Sequence, residues 1–348
     1  AEAVALWARP PDRTVLSLPQ HPDLPEMIFD DRSAMEDRIA VLRELGVTRV
    51  HVHHVLYNER WLPEFLERAG WPYDITLHDY YFISPQPHLL DESDRFVGDD
   101  RLDDEILTRP YWPGVPVMNL VDWRRAHRVL LANAARLMAP SRDVVARYRR
   151  VFPEFDYRVV PHPESPRPER QPVRFQSCAE AAPLRVVLLG AMQPHKGSRV
   201  LVECARRASA AKAPLEFIVL GSLEEAPPPG VAVHGSYRAE ELEALIGRWK
   251  PHLAWFPAQC PETYSNTLSE AMAAGLPVLA SDLGAFPERL AGRAWSWLFP
   301  WKAEPVAWLN RMLDIRARHF VRGEPHALPG PAPDGEDRFY SEEYLAEA

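Results

Sequence analysis

From residue 184 onward, short apolar runs alternate with stretches of helical periodicity, and this alternation constrains the fold more than any other feature. Each run is bounded by Gly or Pro, which is typical of buried strands. We predict strands at 184–190, 215–221, 231–234, 252–257, 277–281 and 295–299, with helices at about 197–210, 239–248, 266–274 and 285–291. Strands separated by helices pair in parallel within one sheet. The pattern therefore predicts a Rossmann-like domain over 184–335.

The first 160 residues show a weaker form of the same alternation. We predict strands at 49–53, 74–77, 136–139 and 158–161, with helices at about 33–45, 59–69, 122–134 and 141–150. One weak strand, Thr14–Leu18, precedes them, and Tyr80–Pro113 has no regular period. The fold class predicted for the chain is α/β, with two doubly wound parallel-sheet domains.

Prolines mark the boundary between these domains. Pro makes up 36 of the 348 residues, and six of them lie in 161–183 without a periodic apolar pattern. Because Pro fixes φ and removes a backbone donor, such a stretch favours a stiff connection. We assign 1–160 to an N-terminal domain, 161–183 to a linker and 184–335 to a C-terminal domain.

Charge and cysteine content exclude some classes of protein. The formal net charge of −9 argues against a nucleic-acid partner, because binding phosphates requires a basic face. Three widely spaced cysteines fit a reducing compartment and no metal cluster. The sequence has no apolar run of 18 residues and does not start with a basic region followed by an apolar one. We therefore expect a cytoplasmic protein without a membrane span or signal peptide.

The charges are unevenly distributed along the N-terminal half. Residues 91–105 carry eight acids against two arginines, whereas 123–150 carry eight arginines against Asp143 alone. Either run is explained by a solvated surface. The alternative for the arginine-rich run is a surface that docks on an anionic membrane or on a phosphorylated acceptor.

The most informative stretch is 261–284, in which one helix begins between two glutamates. Thr267 fits an N-cap, and Glu270, three residues later, fits a Thr-x-x-Glu capping box. Gly275 can take the left-handed conformation that ends the helix, and Pro277 prevents its continuation. This predicts a helix N-terminus close to Glu262 and Glu270.

A helix N-terminus has unpaired N–H groups and a positive dipole end, so Ser265, Asn266 and Thr267 are placed to hold a diphosphate. The carboxylates of Glu262 and Glu270 could accept hydrogen bonds from vicinal hydroxyls of a sugar or a ribose. On the alternative interpretation, Glu270 is a cap partner and Glu262 is a solvated loop residue.

The first turn of the C-terminal domain carries a second set of candidates. Gly190 allows a sharp turn at the end of the strand, and Lys196 places a positive charge near the start of the next helix. A phosphate would lie at such a position.

These motifs resemble the nucleotide-sugar half of retaining GT-B glycosyltransferases of family four. The resemblance rests on Glu262, seven residues and Glu270, followed by Gly275-Leu276-Pro277-Val278, and on Lys196 with Gly197. It implies the GT-B fold, in which two Rossmann-like domains face each other across a cleft. It also implies that Glu262 contacts the donor sugar and Glu270 the ribose.

Weaker matches extend the resemblance to other parts of the chain. Thr76–Asp79 is similar to the segment that supplies an active-site His in many GT-B enzymes, which makes His78 the candidate. Ser236 and Tyr237 follow the third strand, where the backbone of such enzymes commonly pairs with the nucleobase. The tail, 336–348, resembles the last helix of the family, which crosses back to the N-terminal domain.

The sequence departs from the family pattern in two places. Ala191 stands where an Arg is common, and Arg199 is the candidate to replace it. The first glycine is Gly46, so the usual glycine-rich turn of the N-terminal domain is absent from this sequence. We expect that this turn is either replaced or lies in preceding residues of a longer polypeptide with further domains. In the second case, this chain should bind donor but transfer poorly.

The resemblance implies a retaining hexosyltransferase that needs no metal or other cofactor. Its partners would be a nucleotide-sugar donor and a glycan or lipid-linked acceptor of bacterial polysaccharide or lipopolysaccharide synthesis, with peripheral contact to the cytoplasmic membrane. Two alternatives remain: an epimerase or phosphorylase of the same fold, and a catalytically silent glycan-binding domain of a larger protein.

Overall fold

The computed structural model describes residues 3–9, 13–21, 23–30, 35–163, 177–321 and Tyr344. The predicted cap Ser33, linker residues 164–176 and the tail apart from Tyr344 lie outside the described residues. The chain divides into two units. The first comprises the described residues within Ala1–Pro87 and Asp103–Pro161, with Tyr344, and the second those within His88–Leu102 and His162–Glu336.

The first unit contains two sheets. Its strands are β1 Ala5–Arg9, β2 Arg13–Ser17, β3 Met27–Asp30, β4 Val50–Val52, β5 Tyr73–Thr76, β6 Arg136–Ala139 and β7 Arg158–Val159. Its helices are α1 Met35–Glu44, α2 Leu62–Ala69, α3 Leu120–Asn133 and α4 Arg142–Val151. The parallel sheet has the order β4-β5-β6-β7, as alternating strands and helices require. As predicted, Ser141 caps α4, since its hydroxyl accepts the N–H of Val144.

Strands β1, β2 and β3 form a separate antiparallel sheet, of which the sequence indicated only β2. The middle strand buries Thr14, Val15 and Leu16. In the flanking strands, Trp7, Met27 and Ile28 are exposed. Because those strands bury few apolar residues, their sequences lack the alternation by which a half-buried strand is recognised.

A buried carboxylate on β5 binds an arginine on β6 and an arginine at the residue just before β4. Asp74, on β5, is fully buried and accepts two hydrogen bonds from Arg49, at 2.6 and 2.7 Å, and one from Arg136 on β6, at 3.2 Å. Burial acts to raise the pKa of Asp74, but the hydrogen bonds from Arg49 and Tyr344 and the charge of Arg136 outweigh it and lower the pKa. The carboxylate therefore stays ionised inside the sheet.

The second unit is built on one six-stranded parallel sheet. Its strands are β8 Leu184–Leu189, β9 Leu215–Leu220, β10 Val231–Gly235, β11 Leu253–Phe256, β12 Val278–Ser281 and β13 Ser296–Phe299. Its helices are α5 Ser198–Ala210, α6 Leu242–Trp249, α7 Asn266–Ala273, α8 Phe286–Arg289 and α9 Pro305–Ile315, with a π-helical continuation at Arg316–Val321. The strand order β10-β9-β8-β11-β12-β13 reverses between β8 and β11. This is the Rossmann order, with its switch point at these two strands.

Both faces of this sheet are covered by apolar layers. Along β8, Val186 and Leu188 pack into one cluster, while Val187 and Leu189 pack into the other. Burial on both sides explains why these strands read as continuous apolar runs. The first cluster includes Trp308 and Met312 of α9, a helix that the sequence analysis did not predict.

Residues 88–102 belong to the second unit, although the sequence placed them in the N-terminal domain. The backbone pairs Leu90 with Phe96 in an antiparallel bridge, and the N–H of Phe96 donates to the carbonyl of Gln259 at 2.8 Å. The segment has no strand or helix period, so its place could not be inferred from sequence.

We expect the Asp74→Asn substitution to lower the free energy of unfolding by about 3 kcal/mol, because it leaves the half-buried Arg49 and Arg136 without the buried carboxylate that balances their charge. Since the folded pKa is lowered, the contribution of Asp74 is present above the unfolded pKa of about 3.9 and is lost as the pH falls through the folded pKa. Urea unfolding at neutral pH measures the loss.

Asp103→Asn is the matched control, because Asp103 pairs with Arg124 but its side chain is 89% exposed. Its effect should stay below about 1 kcal/mol. Equal losses in the two variants would contradict a special contribution of the buried carboxylate.

Candidate functional site

The predicted donor-binding residues follow the strands at the switch point of the second unit. Strands β8 and β11 are hydrogen-bonded neighbours, and the chain leaves them in the loops 190–197 and 257–265. In open parallel sheets, ligands bind in the crevice outside the carboxyl ends of the strands where the order reverses. The sheet topology therefore brings the two predicted loops to the position where a nucleotide usually binds.

Glycines let these loops approach each other backbone to backbone. Gly197 has φ +91°, and a Cβ there would lie 2.2 Å from the carbonyl oxygen of Pro257. A Cβ on Gly221, after β9, would lie 1.9 Å from the carbonyl oxygen of Gly190. Since only glycine fits such distances, the loops after β8, β9 and β11 are packed as one layer.

Lys196 and Glu262 lie next to each other in this layer. Lys196 ends a short 3-10 turn, Pro194–Lys196, and its Nζ is 4.0 Å from Oε1 of Glu262. Their side chains are 38% and 20% exposed, so both remain accessible. The pair offers a cation to a phosphate and an acceptor to hydroxyl groups within a few ångströms.

Helix α7 begins at Asn266, which corrects the predicted cap. Its N-cap is Ser265, in the left-handed conformation at φ +71°, and the side chain of Ser265 makes no capping hydrogen bond. Glu270 accepts a hydrogen bond from the hydroxyl of Tyr237 at 2.9 Å instead of closing a capping box with Thr267. The predicted helix start at 266 is confirmed, but the capping-box prediction was wrong because the N-cap lies at Ser265, two residues before Thr267. Gly275, at φ +72°, follows the end of the helix as predicted.

The first two N–H groups of α7, those of Asn266 and Thr267, are the ones that the helix itself does not use, whereas the N–H of Leu268 donates to the carbonyl of Ser265 at 3.0 Å. Ser265 does not cap the first two groups with its side chain. Asn266 is exposed, and Thr267 packs so closely on the first loop that a Cβ on Gly190 would lie 3.3 Å from its methyl group. The predicted phosphate-binding elements, Gly190 and the start of α7, are thus adjacent.

Tyr237 and Ser236 follow β10. Ser236 is exposed, and Tyr237 is half-buried with its hydroxyl on Glu270. Burial, followed by the charge of Glu270 and the hydrogen bond to it, raises the pKa of Tyr237. The phenol therefore stays protonated and orients one oxygen of Glu270, a contact that the sequence analysis missed.

Arg199 is engaged in an ion pair. It lies in the first turn of α5, where Nη2 is 2.7 Å from Asp94 and Nη1 donates to the carbonyl of Ser93 at 3.1 Å. Its charge is therefore already balanced by the 88–102 segment. Taking over the role of the missing Arg at position 191 would require Arg199 to leave this pair.

In the first unit, His78 follows β5 and its Nε2 is 2.8 Å from Nδ1 of His53, which follows β4. Such a contact requires one protonated and one unprotonated nitrogen, so the two rings share a proton. Burial lowers the pKa of His53, which favours this neutral form. The sequence analysis did not select His53, although the His51-Val52-His53-His54 run at a strand end was a visible signal.

A second pair fixes the neighbouring residue. His54 accepts the N–H of Leu56 on Nδ1 at 2.9 Å, so its Nε2 carries the proton and donates to Asp79 at 2.9 Å. The other oxygen of Asp79 accepts the N–H of Tyr81 at 2.8 Å. With these partners, His54 and Asp79 orient the loop that carries His78.

One protein-family model matches most of the second unit. Residues 183–317 match the protein-family model described as Glycosyl transferases group 1. The phosphatidyl-myo-inositol mannosyltransferase of Propionibacterium freudenreichii subsp. shermanii is 36% identical over 94 residues, which are 27% of this chain and 24% of that protein. The chain thus matches about a quarter of that relative's length.

Solved structures are similar over most of the chain. Sucrose-phosphate synthase from Thermosynechococcus elongatus is similar at a TM-score of 0.60 with 15% identity, over 90% of this chain and 77% of that one. An Anabaena protein solved in complex with UDP-glucose is similar at a TM-score of 0.52 with 14% identity, over 81% and 71% of the two chains. The chain has the α/β GT-B fold, which consists of two Rossmann-like domains.

We expect Gly284→Ala to disturb the position of Glu262. A Cβ at Gly284 would lie 2.4 Å from both the N and O atoms of Glu262, and backbone atoms cannot yield as a flexible side chain can. Gly292→Ala is the control, because its φ of +72° nearly equals the +68° of Gly284 and its Cβ would meet nothing within 4 Å.

Both variants incur the cost of positive φ, so their difference isolates the steric clash. Urea unfolding should show Gly284→Ala to be less stable than Gly292→Ala by about 1–3 kcal/mol. Two indistinguishable unfolding curves would mean that the 262–265 loop is not held by this close approach.

Proposed function

We propose that this protein is a retaining GT-B glycosyltransferase that transfers a hexose from a nucleotide sugar to a glycan or lipid-linked acceptor. The observation that carries the proposal is the group formed by Lys196, Glu262 and the start of α7 at the switch point of a Rossmann sheet. This group lies within the residues that match the glycosyl transferase family model.

Each of these residues has a proposed role toward the donor. Lys196 and the first-turn amides of α7 would neutralise the diphosphate, and Glu270, oriented by Tyr237, would accept the ribose hydroxyls. Glu262 would accept hydroxyls of the sugar, while the backbone at Ser236 would pair with the nucleobase. Gly190 gives the diphosphate room at the end of β8.

Retention of configuration needs the diphosphate to leave and the acceptor to attack on the same face. The task of the protein is then to stabilise the developing charge on the diphosphate and to hold the acceptor within about 3–3.5 Å of the anomeric carbon. Lys196 and the α7 amides would do the first. His78, whose protonation is coupled to that of His53, would act on the acceptor side.

The acceptor is proposed to be a glycan or lipid intermediate of bacterial polysaccharide or lipopolysaccharide synthesis, met at the cytoplasmic membrane surface. No helix among the described residues is both long and apolar enough to cross a membrane. Most arginines of the 123–150 run are paired with carboxylates: Arg124, Arg125, Arg128, Arg136 and Arg147. A basic contact with the membrane would therefore rest mainly on the exposed Arg149 and Arg150.

A silent glycan-binding domain is the second candidate, and the charge balance of the donor loops favours it. Arg199 is paired with Asp94, and Lys196 lies beside Glu262, so the diphosphate meets few uncompensated cations. Calorimetry with UDP-, GDP- and dTDP-sugars separates the candidates, because only the glycosyltransferase must bind one of them.

We expect Glu270→Ala to weaken binding of the bare nucleoside diphosphate by about tenfold or more, since a charged hydrogen bond to ribose contributes roughly 1.5–3 kcal/mol. Glu262→Ala should leave this affinity nearly unchanged and mainly lower turnover. The control is Glu216→Ala, a carboxylate exposed near the amino end of β9. Equal losses of affinity for Glu262→Ala and Glu270→Ala would contradict the division of roles.

We also expect transfer to continue in EDTA, because Lys196 and the helix N-terminus are proposed to meet the charge of the diphosphate without a metal ion. Initial rates are compared with and without chelator on the same enzyme preparation. A rate that falls on chelation and returns with Mg²⁺ or Mn²⁺ would exclude this part of the proposal.

A further inference from the structure

Arg289, the last residue of α8, holds the chain just before α7. Its Nη1 donates to the carbonyl oxygens of Tyr264, at 2.8 Å, and Ser265, at 2.9 Å, and its Nη2 donates to the hydroxyl of Ser269 at 2.7 Å. The guanidinium carbon lies 3.8 Å from the centroid of the Tyr264 ring. One side chain thus joins both sides of the turn at which α7 begins.

The turn that Arg289 holds has an unfavourable backbone conformation. Ser265 has φ +71° and ψ +86°, a region in which a residue with a Cβ is strained. Such a conformation persists only where the surrounding contacts enforce it. The two carbonyl contacts of Arg289 lie on either side of the Ser265 α-carbon, where they restrain both flanking peptides.

Holding these carbonyls also fixes the direction of the N–H groups. A peptide unit is planar, with its C=O and N–H pointing to opposite sides. The carbonyl of Tyr264 shares its peptide with the N–H of Ser265, and the carbonyl of Ser265 shares its peptide with the N–H of Asn266. Drawing both carbonyls toward Arg289 therefore turns these two N–H groups away from it. The helix restrains the second carbonyl as well, because the N–H of Leu268 donates to the carbonyl of Ser265 at 3.0 Å.

The neighbouring residues of the same segment hold the other end of the loop. The N–H of Ala285 donates to the carbonyl of Glu262 at 2.8 Å, and Gly284 packs against the Glu262 backbone. Residues 284–289 therefore contact the 262–265 loop at both of its ends.

We propose that Arg289 is a positioning residue for the nucleotide-sugar donor: it fixes the left-handed turn at Ser265, and thereby the amides of Ser265 and Asn266 that receive the diphosphate. The role rests on the proposed function and deepens it. Arg289 does not itself contact the donor. Its fork geometry is required, because a lysine would keep the charge but could not hold two carbonyls and a hydroxyl in fixed directions.

The test combines removal of the arginine with removal of the strain. Arg289→Met and Arg289→Lys remove the fork, and Ser265→Gly makes the left-handed turn accessible without it. Arg293→Met is the matched control, because Arg293 also donates to a backbone carbonyl, that of Leu276, and to a hydroxyl, that of Ser296, but beyond the far end of α7.

Calorimetric titration with UDP, GDP and dTDP identifies the nucleotide that the wild type binds and gives its Kd in each variant. Arg289→Met and Arg289→Lys should each weaken binding by about tenfold, because the Ser265 and Asn266 amides lose their fixed direction, and this factor, about 1.4 kcal/mol, is close to what one hydrogen bond from an amide to a charged phosphate contributes. In the Ser265→Gly background, Arg289→Met should raise the Kd by less than about threefold, because glycine adopts the left-handed turn without the contacts of Arg289. Arg293→Met should bind as the wild type does.

A merely structural role would lower the melting temperatures of the Arg289 and Arg293 variants without the selective loss of affinity and without rescue by Ser265→Gly. An unchanged Kd in Arg289→Met, or no rescue by glycine, overturns the proposal.

A second measurement needs no nucleotide: hydrogen exchange at the Ser265 and Asn266 amides should be faster in Arg289→Met. If exchange is unchanged, Arg289 does not restrain these amides, and the proposal is refuted. If exchange is faster but the wild type binds no nucleotide, the proposed function fails, and the donor role of Arg289 fails with it.

Discussion

The candidate donor site depends on backbones that approach each other more closely than any side chain would allow. Gly197 against Pro257, Gly221 against Gly190 and Gly284 against Glu262 bring together the loops that follow β8, β9, β11 and β12. Each approach puts a peptide group where a Cβ would otherwise be. The loops therefore form one layer over the carboxyl ends of the strands. The packing of that layer positions Lys196, Glu262 and the start of α7.

The electrostatics of this layer follow from the same packing. Few cations are available to a diphosphate, because Arg199 is paired with Asp94 and Lys196 lies beside Glu262. Backbone N–H groups would then have to carry much of the charge stabilisation, which makes their direction important. Arg289 restrains that direction, because it donates to the carbonyls of Tyr264 and Ser265 and so holds the two peptide planes that carry these N–H groups. It acts on the donor site without being part of it.

In the first unit, hydrogen-bonded side-chain pairs hold neighbouring strands and the loops that follow them together. Asp74 ties three parallel strands through Arg49 and Arg136, and at the carboxyl ends of β4 and β5 His53 meets His78 while His54 meets Asp79. These pairs join residues that are close only because the strands run parallel in register. Hydrogen bonds on both ring nitrogens fix the tautomer of His54, and the shared proton restricts that of His78.

The sequence by itself determined the strands of the second unit, the position of Gly275 after α7 and the selection of Lys196, Glu262 and Glu270 as candidates. It could do so because strands buried on both faces form continuous apolar runs and because glycine at positive φ marks turns. Tertiary structure alone decided the N-cap of α7 at Ser265, the partner of Glu270, the ion pair of Arg199 and the placement of 88–102 in the second unit. Each of these depends on a contact between residues far apart in the chain, and local propensity carries no information about such contacts.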